Sequence, residues 1–469
     1  MDEAQRRAVE RFRELLRIPT VHPDAAHPSA RPGDAAHERS EHDRPEHDWS
    51  EHERFLARLP ELYPLLSASL ERELIGTAGG GRSALYRWPG ASGEAPLVLM
   101  AHYDVVPASD TGWTHPPFAA ELEDDVIWAR GAIDDKGELV AILEAVETLL
   151  AAGVTPPRDV YLSLGHDEES GGTGAREIVR TLRERGIRPG LVLDEGGAVV
   201  DDVFPGVDSP IAAIGVSEKG AAKVLLSVDQ DGGHASTPPA MAATVRIARA
   251  VLRLERRPFP ARLDPPVRAM LEAIGPHARG ARGWAFRHLG LTAGLVTRMM
   301  ARLGDETRAM VRTTMAVTRL SGSAADNVLA ARATATVDVR IAGSASVAAV
   351  EEHVRRVVAD PLVRVELGET HEPSPVSPTH GPAWDAVVAA VRTAFPDAVP
   401  VPYVMYAASD ARHFAAISGH VYRFCAMRMT AAERAGLHGL DERIRVGSWL
   451  DTIAFYRALV RGYGRADDT

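Results

Sequence analysis

One cysteine in 469 residues, Cys425, leaves no partner for an intrachain disulfide. Its setting, VYRFCAM, reads as a small buried residue rather than a nucleophile, and a chain without disulfides suits a reducing compartment. Long apolar runs are also lacking: none approaches a membrane span, and the charged opening MDEAQRRAVERFRELL has no apolar centre of a secretion signal. A soluble, cytoplasmic protein is the expectation. Nor is there a basic excess. Lys and Arg number 53 against 64 Asp and Glu, a formal charge of −11, which argues against a nucleic-acid partner.

What remains is 45% hydrophobic and 25% charged, too long for one ordinary core, so two domains are expected. Residues 3–17 carry apolar positions at helical spacing. Residues 21–53 are rich in His, Asp, Glu and Pro, with His22, His27, His37, His42, His47 and His52 irregularly spaced. Metal capture is one reading of that stretch; a solvated insertion fits the composition better. From about 68 to 216 strand-like and helical runs alternate, as in a mostly parallel sheet sandwiched by helices, the clearest helix being KGELVAILEAVETLLAAG. The character changes near 215. Two strand-like runs and a helix at about 240–255 follow, and ARATATVDVRI at 331–341 alternates with period two, the mark of an antiparallel strand with one wet face. Between them 262–312 is helical and arginine-rich, with no role the sequence discloses. The division is therefore 1–215 and 345–469 for the catalytic domain, with 216–344 inserted.

Five motifs spread over more than three hundred residues carry the chemistry: His102 and Asp104 in MAHYDVVP, Asp134 in GAIDDKG, Glu168 and Glu169 in GHDEESGG, Asp194 in LVLDEGG, and His438 in LHGLDE. LVLMAHYD, VIWARGAIDD, VYLSLGHDEE and LVLDEGG each read as a buried strand delivering polar side chains at its carboxyl end, where α/β sheets place their sites. Two histidines and at least three carboxylates, without cysteine, suit Zn²⁺, Mn²⁺ or Co²⁺. A pair of ions about 3.5–4 Å apart needs one shared carboxylate and roughly two further ligands each. The count fits. Asp104, two residues past His102 on the same side of an extended strand, can accept the imidazole N–H and orient it.

In number and order, MAHYDVVP, ARGAIDDKG, GHDEESGG, LVLDEGG, GVSEKG, GGHASTPP, VRTTMA, SDARHF and VYRF resemble the di-metal aminoacylase and carboxypeptidase family, closest to its carboxypeptidase S and N-fatty-acyl-amino acid hydrolase branch. The resemblance covers nearly the whole chain apart from 21–53. It implies an α/β catalytic domain with an inserted ferredoxin-like lid, two Zn²⁺ per subunit, and a homodimer through the lid. It makes Asp134 the bridging carboxylate, with His102 and Asp194 on one metal, Glu169 and His438 on the other, and Glu168 the general base. It also implies a cis peptide between Asp134 and Asp135. His234 in GGHASTPP would stabilise the oxyanion, from its own or a partner subunit. Asn327 and Arg340 would approach the substrate's carbonyl and carboxylate, and Ser409, Asp410 and Arg412 would line the carboxylate loop, although NVLA stands where relatives often read NVIP. The implied activity is hydrolysis of the amide linking an acyl or aminoacyl group to a C-terminal amino acid. A metal-dependent sensor without turnover has no use for Glu168, and a metal-storage protein would rest on 21–53.

Overall fold

The computed structural model describes residues 1–22, 48–109, 111–201 and 206–465. Two compact units emerge: 1–215, 377–401 and 409–469 form the first, 216–376 and 402–408 the second.

The first unit is built on an eight-stranded sheet in the order Glu71–Gly76, Arg82–Trp88, Arg158–Gly165, Ser92–His102, Leu191–Val200, Val421–Met429, Ile211–Glu218, Val399–Met405. The four adjacent strands from Arg158–Gly165 to Val421–Met429 run parallel; the pairs at the Glu71 edge are antiparallel. Parallel strands buried on both faces need continuous apolar runs, and Leu97, Val98 and Leu99 are at most 1% exposed. The opening helix is Glu3–Leu16, started by an Asp2–Gln5 capping box. Helix Lys136–Ala151 is apolar on nearly every side because it is buried on nearly every side. On the other face Thr173–Glu184 lays Ile178 and Leu182 on Val98 and Val192.

Two expectations need correction here. The VIW run is a three-residue strand, Val126–Trp128, outside the large sheet; it pairs with Glu121–Glu123 and Arg443–Arg445. Asp134 therefore leaves a loop rather than the end of a parallel strand. The histidine-rich stretch is not solvated at its two described ends: His22 and His52 are buried, with ring centroids 5.1 and 4.8 Å from Trp49. His27, His37, His42 and His47 lie outside the described residues.

The second unit has a four-stranded antiparallel sheet, Thr314–Ser321, Arg332–Ile341, Gly220–Asp229, Arg364–His371, with helices Ala243–Arg256 and Val347–Val358 packed on it. In chain order this is β-α-β-β-α-β with spatial order 2-3-1-4, the ferredoxin-like arrangement. Alternation is clean in Arg332–Ile341, where Ala333, Ala335, Val337, Val339 and Ile341 are all buried. The unit does not stop at 344. Arg364–His371 pairs with Gly220–Asp229, and Val350 and Val354 complete the core, so the chain stays in it to 376. The 262–312 stretch forms helices Pro265–Ile274, Gly280–Arg287, Leu289–Leu303 and Asp305–Met310. Among the described residues no helix is long and apolar enough to cross a membrane.

Candidate metal and active site

Three adjacent parallel strands end on the same edge of the large sheet, and their first polar residues converge there. His102 closes Ser92–His102. Its Nδ1 lies 3.2 Å from Asp104 Oδ1, and its Nε2 lies 3.1 Å from Asp134 Oδ1. Asp104 is fully buried and its two oxygens also accept the backbone N–H groups of Glu168 and Glu169, at 3.2 and 3.1 Å. One carboxylate thus fixes the imidazole and the short helical turn Glu168–Ser170 that follows Arg158–Gly165.

Asp134 stands between two histidines. Oδ1 faces His102, while Oδ2 lies 3.0 Å from Nε2 of His438, which is also 3.2 Å from Glu169 Oε1. Two groups of potential ligands result, His102, Asp134 and Glu195, and Asp134, Glu169 and His438, each with ligand atoms within 4.8 Å of one another. The Asp134–Asp135 peptide is cis. Asp135 Oδ2 accepts the backbone N–H of His102 at 3.1 Å.

The structure departs from the expected ligand set at Asp194. Consecutive residues of a strand point to opposite faces, so only one of Asp194 and Glu195 can look toward His102. Glu195 does, with Oε2 3.9 Å from Nε2. Asp194 Oδ2 accepts the Ala411 N–H at 2.8 Å, and the Ser409 hydroxyl donates to the same carboxylate. Ser409 and Asp410 are buried, Ser409 against the Asp194 carboxylate, and Arg412 is half-buried.

Crowded carboxylates respond as buried like charges do. Burial, reinforced by neighbouring carboxylates, pushes Glu168, Glu169 and Glu195 above the usual range. Burial would raise Asp134 too, but hydrogen bonds from His102 and His438 hold it below its ordinary value. His438 is pushed up to about 10 by its hydrogen bonds to Asp134 and Glu169. For His102 burial acts downward and is outweighed by Asp104 and Asp134. Such a surplus of acid, drawing protons onto both imidazoles, is the electrostatic setting that divalent cations neutralise. The donor set fits a two-metal centre.

Sequence reasoning missed Glu442 and Arg130. Glu442, fully buried, accepts from Arg130 Nη1 at 2.6 Å and from the amides of Gly131, Ile133 and Asp134 at 3.0, 2.8 and 3.1 Å. Arg130 Nη2 donates to Gly439 O at 2.8 Å. One carboxylate thereby ties the loop of the shared ligand to the turn of His438. That turn is strained: His438 and Asp441 sit at φ +55° and +57°, and Asp441 accepts from Thr114 N and Oγ1 at 2.7 and 2.8 Å. LHGLDER signals this only as charges after a glycine.

The remaining expected residues belong to the second unit. His234 is exposed on the two-residue strand Gly233–His234, its Nδ1 2.8 Å from Ser236 Oγ. That strand pairs with Val328–Leu329, and Ala235 N donates to Asn327 O at 3.0 Å, so His234 and Asn327 are brought together. Arg340 lies on Arg332–Ile341 with Nε 3.0 Å from Asp338 Oδ1.

A mixed α/β sheet and a carboxylate shared between two His–acid pairs define a class, the metal-dependent hydrolases of peptide and amide bonds. More particularly, residues 98–462 match the model of the peptidase family M20/M25/M40, and the chain belongs to that family. It is 37% identical over 422 residues to the N-fatty-acyl-amino acid synthase/hydrolase PM20D1.1 of Danio rerio, covering 87% of this chain and 80% of that protein. With the probable carboxypeptidase S-like 2 of Dictyostelium discoideum it shares 35% over 385 residues, 81% and 74% of the two chains. Among solved structures, the M20 family metallo-carboxypeptidase Sso-CP2 of Sulfolobus solfataricus superposes with TM-score 0.70 at 17% identity, covering 99% of this chain and all of that one.

Proposed function

We propose that the chain is a di-metal hydrolase that cleaves the amide bond to a C-terminal amino acid, as a carboxypeptidase or an N-acyl-amino acid amidohydrolase. The observation that carries it is Asp134, whose two oxygens face two different histidines, each backed by a further carboxylate. His102, Asp134 and Glu195 would hold one ion, and Asp134, Glu169 and His438 the other; zinc suits the set, with Mn²⁺ or Co²⁺ as substitutes. Bound there, the ions would supply a water of lowered pKa and polarise the scissile carbonyl.

The chain's own groups do the rest. Glu168 follows directly from a turn whose amides Asp104 fixes, and its raised affinity for a proton suits a base that accepts one from water and returns it to the leaving amine. His234 would donate to the oxyanion, and the Arg340 fork would clamp the substrate's carboxylate. A homodimer through the second unit is supported by the edge strand Thr314–Ser321, whose Leu320 is 63% exposed, beside a helix with Leu252 53% exposed. We place the protein in the cytoplasm on its single, buried cysteine.

The test is hydrolysis of a panel of dipeptides, N-acetyl and N-fatty-acyl amino acids by the metal-loaded protein. Release of a free amino acid from at least one class is expected. Metal binding without turnover of any member would instead favour a sensor of the same fold.

A further inference from the structure

The arginine-rich helices of 262–312 serve nothing described so far. Across 273–304 the sequence holds five arginines and no Asp or Glu, in a chain of formal charge −11. One of them, Arg302, lines with Arg308 and Arg312 from just beyond that stretch a cavity of about 660 Å³ within the second unit, between helices Leu289–Leu303 and Asp305–Met310, helix Ala243–Arg256 and strand Thr314–Ser321. Its walls carry Arg302, Arg308 and Arg312 against two acids, Glu255 and Asp305, of which Asp305 lies 3.3 Å from Arg308. Arg302 and Arg312 also line an adjoining cavity of about 420 Å³ together with Arg298.

Arg312 sits where these spaces meet. Its Nε is buried and has no hydrogen-bond partner among the described residues, an unmade bond of the kind native structures rarely leave. Neither Arg302 nor Arg312 has a carboxylate within ion-pair distance among the described residues. Burial, and the positive charge of Arg308 after it, lower the proton affinity of Arg312, which is the response of a guanidinium short of negative charge. The lining also includes Leu254, Pro258 and Met315. A volume of this size is that of pockets for small organic ligands, in which a few polar groups fix one end of a mainly apolar molecule.

We propose that this cavity binds an anionic amphiphile: a carboxylate or phosphate headgroup held by Arg302, Arg308 and Arg312, with its apolar chain along Leu254, Pro258 and Met315. The planar guanidinium forks suit both headgroups, since each presents paired oxygens. The site is separate from the metal ligands and does not depend on the hydrolase reading.

Calorimetric titration of the full-length, metal-loaded protein at low salt tests it, with octanoate, octyl phosphate, inorganic phosphate and octyltrimethylammonium as probes. Because octanoate could also enter the catalytic site, the readout is the difference between wild type and R302M/R308M, two exposed positions on helices. A saturable site for octanoate or octyl phosphate should weaken at least about tenfold in that variant and in R312M, and R302K/R308K should recover most of it. Basal hydrolysis by R302M/R308M should match wild type. Equal affinity in wild type and both methionine variants, equal binding of the cationic probe, or no saturable site would overturn the proposal. Inorganic phosphate binding as tightly as octyl phosphate would remove the apolar chain from it.

Discussion

In the first unit, apolar strand segments lead to His102, to Glu195 midway along Leu191–Val200 and to the turn that carries Glu168 and Glu169, and these charges repel one another. In the second unit the four-stranded sheet has an apolar core, Val224, Leu226, Val337 and Val339 among it, and its charged side chains alternate outward. Both sheets are equally well buried in their middles. The difference is where polar groups are desolvated: the first unit crowds buried acids around His102 and Asp134, whereas the second keeps nearly all of its acids at the surface. Desolvated like charges cost stability unless they are put to use, so function should respond to changes at the first sheet's edge and stability to changes in the second sheet's core.

The largest effect should come from removing the base while leaving the ligands. Glu168→Gln is expected to retain metal and lose about 10²–10⁴-fold in kcat; loss of metal without that drop in rate per bound ion would return Glu168 to the ligand set. Glu442→Gln should come next. It leaves Arg130, 2% exposed, facing a neutral amide, and breaking such a buried pair typically costs about 3–5 kcal/mol. Because the same carboxylate holds the amides beside Asp134, metal affinity should fall about 10–100-fold, with activity partly regained at high metal concentration. A variant of lowered melting temperature but unaltered metal affinity would make Glu442 a brace of the fold alone.

These two residues also mark what the sequence disclosed. Glu168 could be singled out as a candidate because it sits in GHDEESGG, at the end of an apolar run, beside a second acid. Glu442 was not, because its partners are backbone amides of a loop more than 300 positions earlier, brought near by a three-residue strand pair too short to leave a pattern. Asp194 and Glu195 were indistinguishable without knowing which face of Leu191–Val200 looks toward His102. The β-α-β-β-α-β unit was readable wherever period-two alternation is clean, as in 331–341. Its end was misplaced at 344 because Arg364–His371, an edge strand, alternates weakly, with Val365 and Leu367 its only contributions to the core.

A core truncation in the second unit sharpens the contrast from the other side. Leu226 is fully buried between Ala335 and Val365 on the neighbouring strands, so Leu226→Ala should cost about 2–5 kcal/mol in denaturant unfolding. At a temperature where the variant remains folded, kcat per bound metal should be that of wild type. A matching loss in kcat would mean that the second sheet's packing reaches the chemistry, and the division between the two units would fail.

The smallest effect tests Lys219, the most deeply buried lysine or arginine of the second unit. Lys219 is 5% exposed, its Nζ donates to Arg312 O at 2.8 Å, and burial lowers its pKa to about 8, with Arg340 also acting downward and Asp264 upward. In the unfolded chain a lysine titrates near 10.4. Between those values the unfolded state binds the proton and the folded state has released it, so stability from this group rises with pH across about 8–10, and below about 8, where both states hold the proton, it no longer changes with pH. The slope for one proton is about 1.4 kcal/mol per pH unit. Lys219→Met removes that slope while also leaving the Arg312 carbonyl without its donor, so the two proteins should be compared by pH dependence and not by stability at one pH. Wild type should gain on the variant by roughly 1–2 kcal/mol between pH 8 and 10 in urea unfolding. Parallel stability profiles for the two proteins would mean that Lys219 keeps its ordinary proton affinity when folded, and that its burial carries no cost.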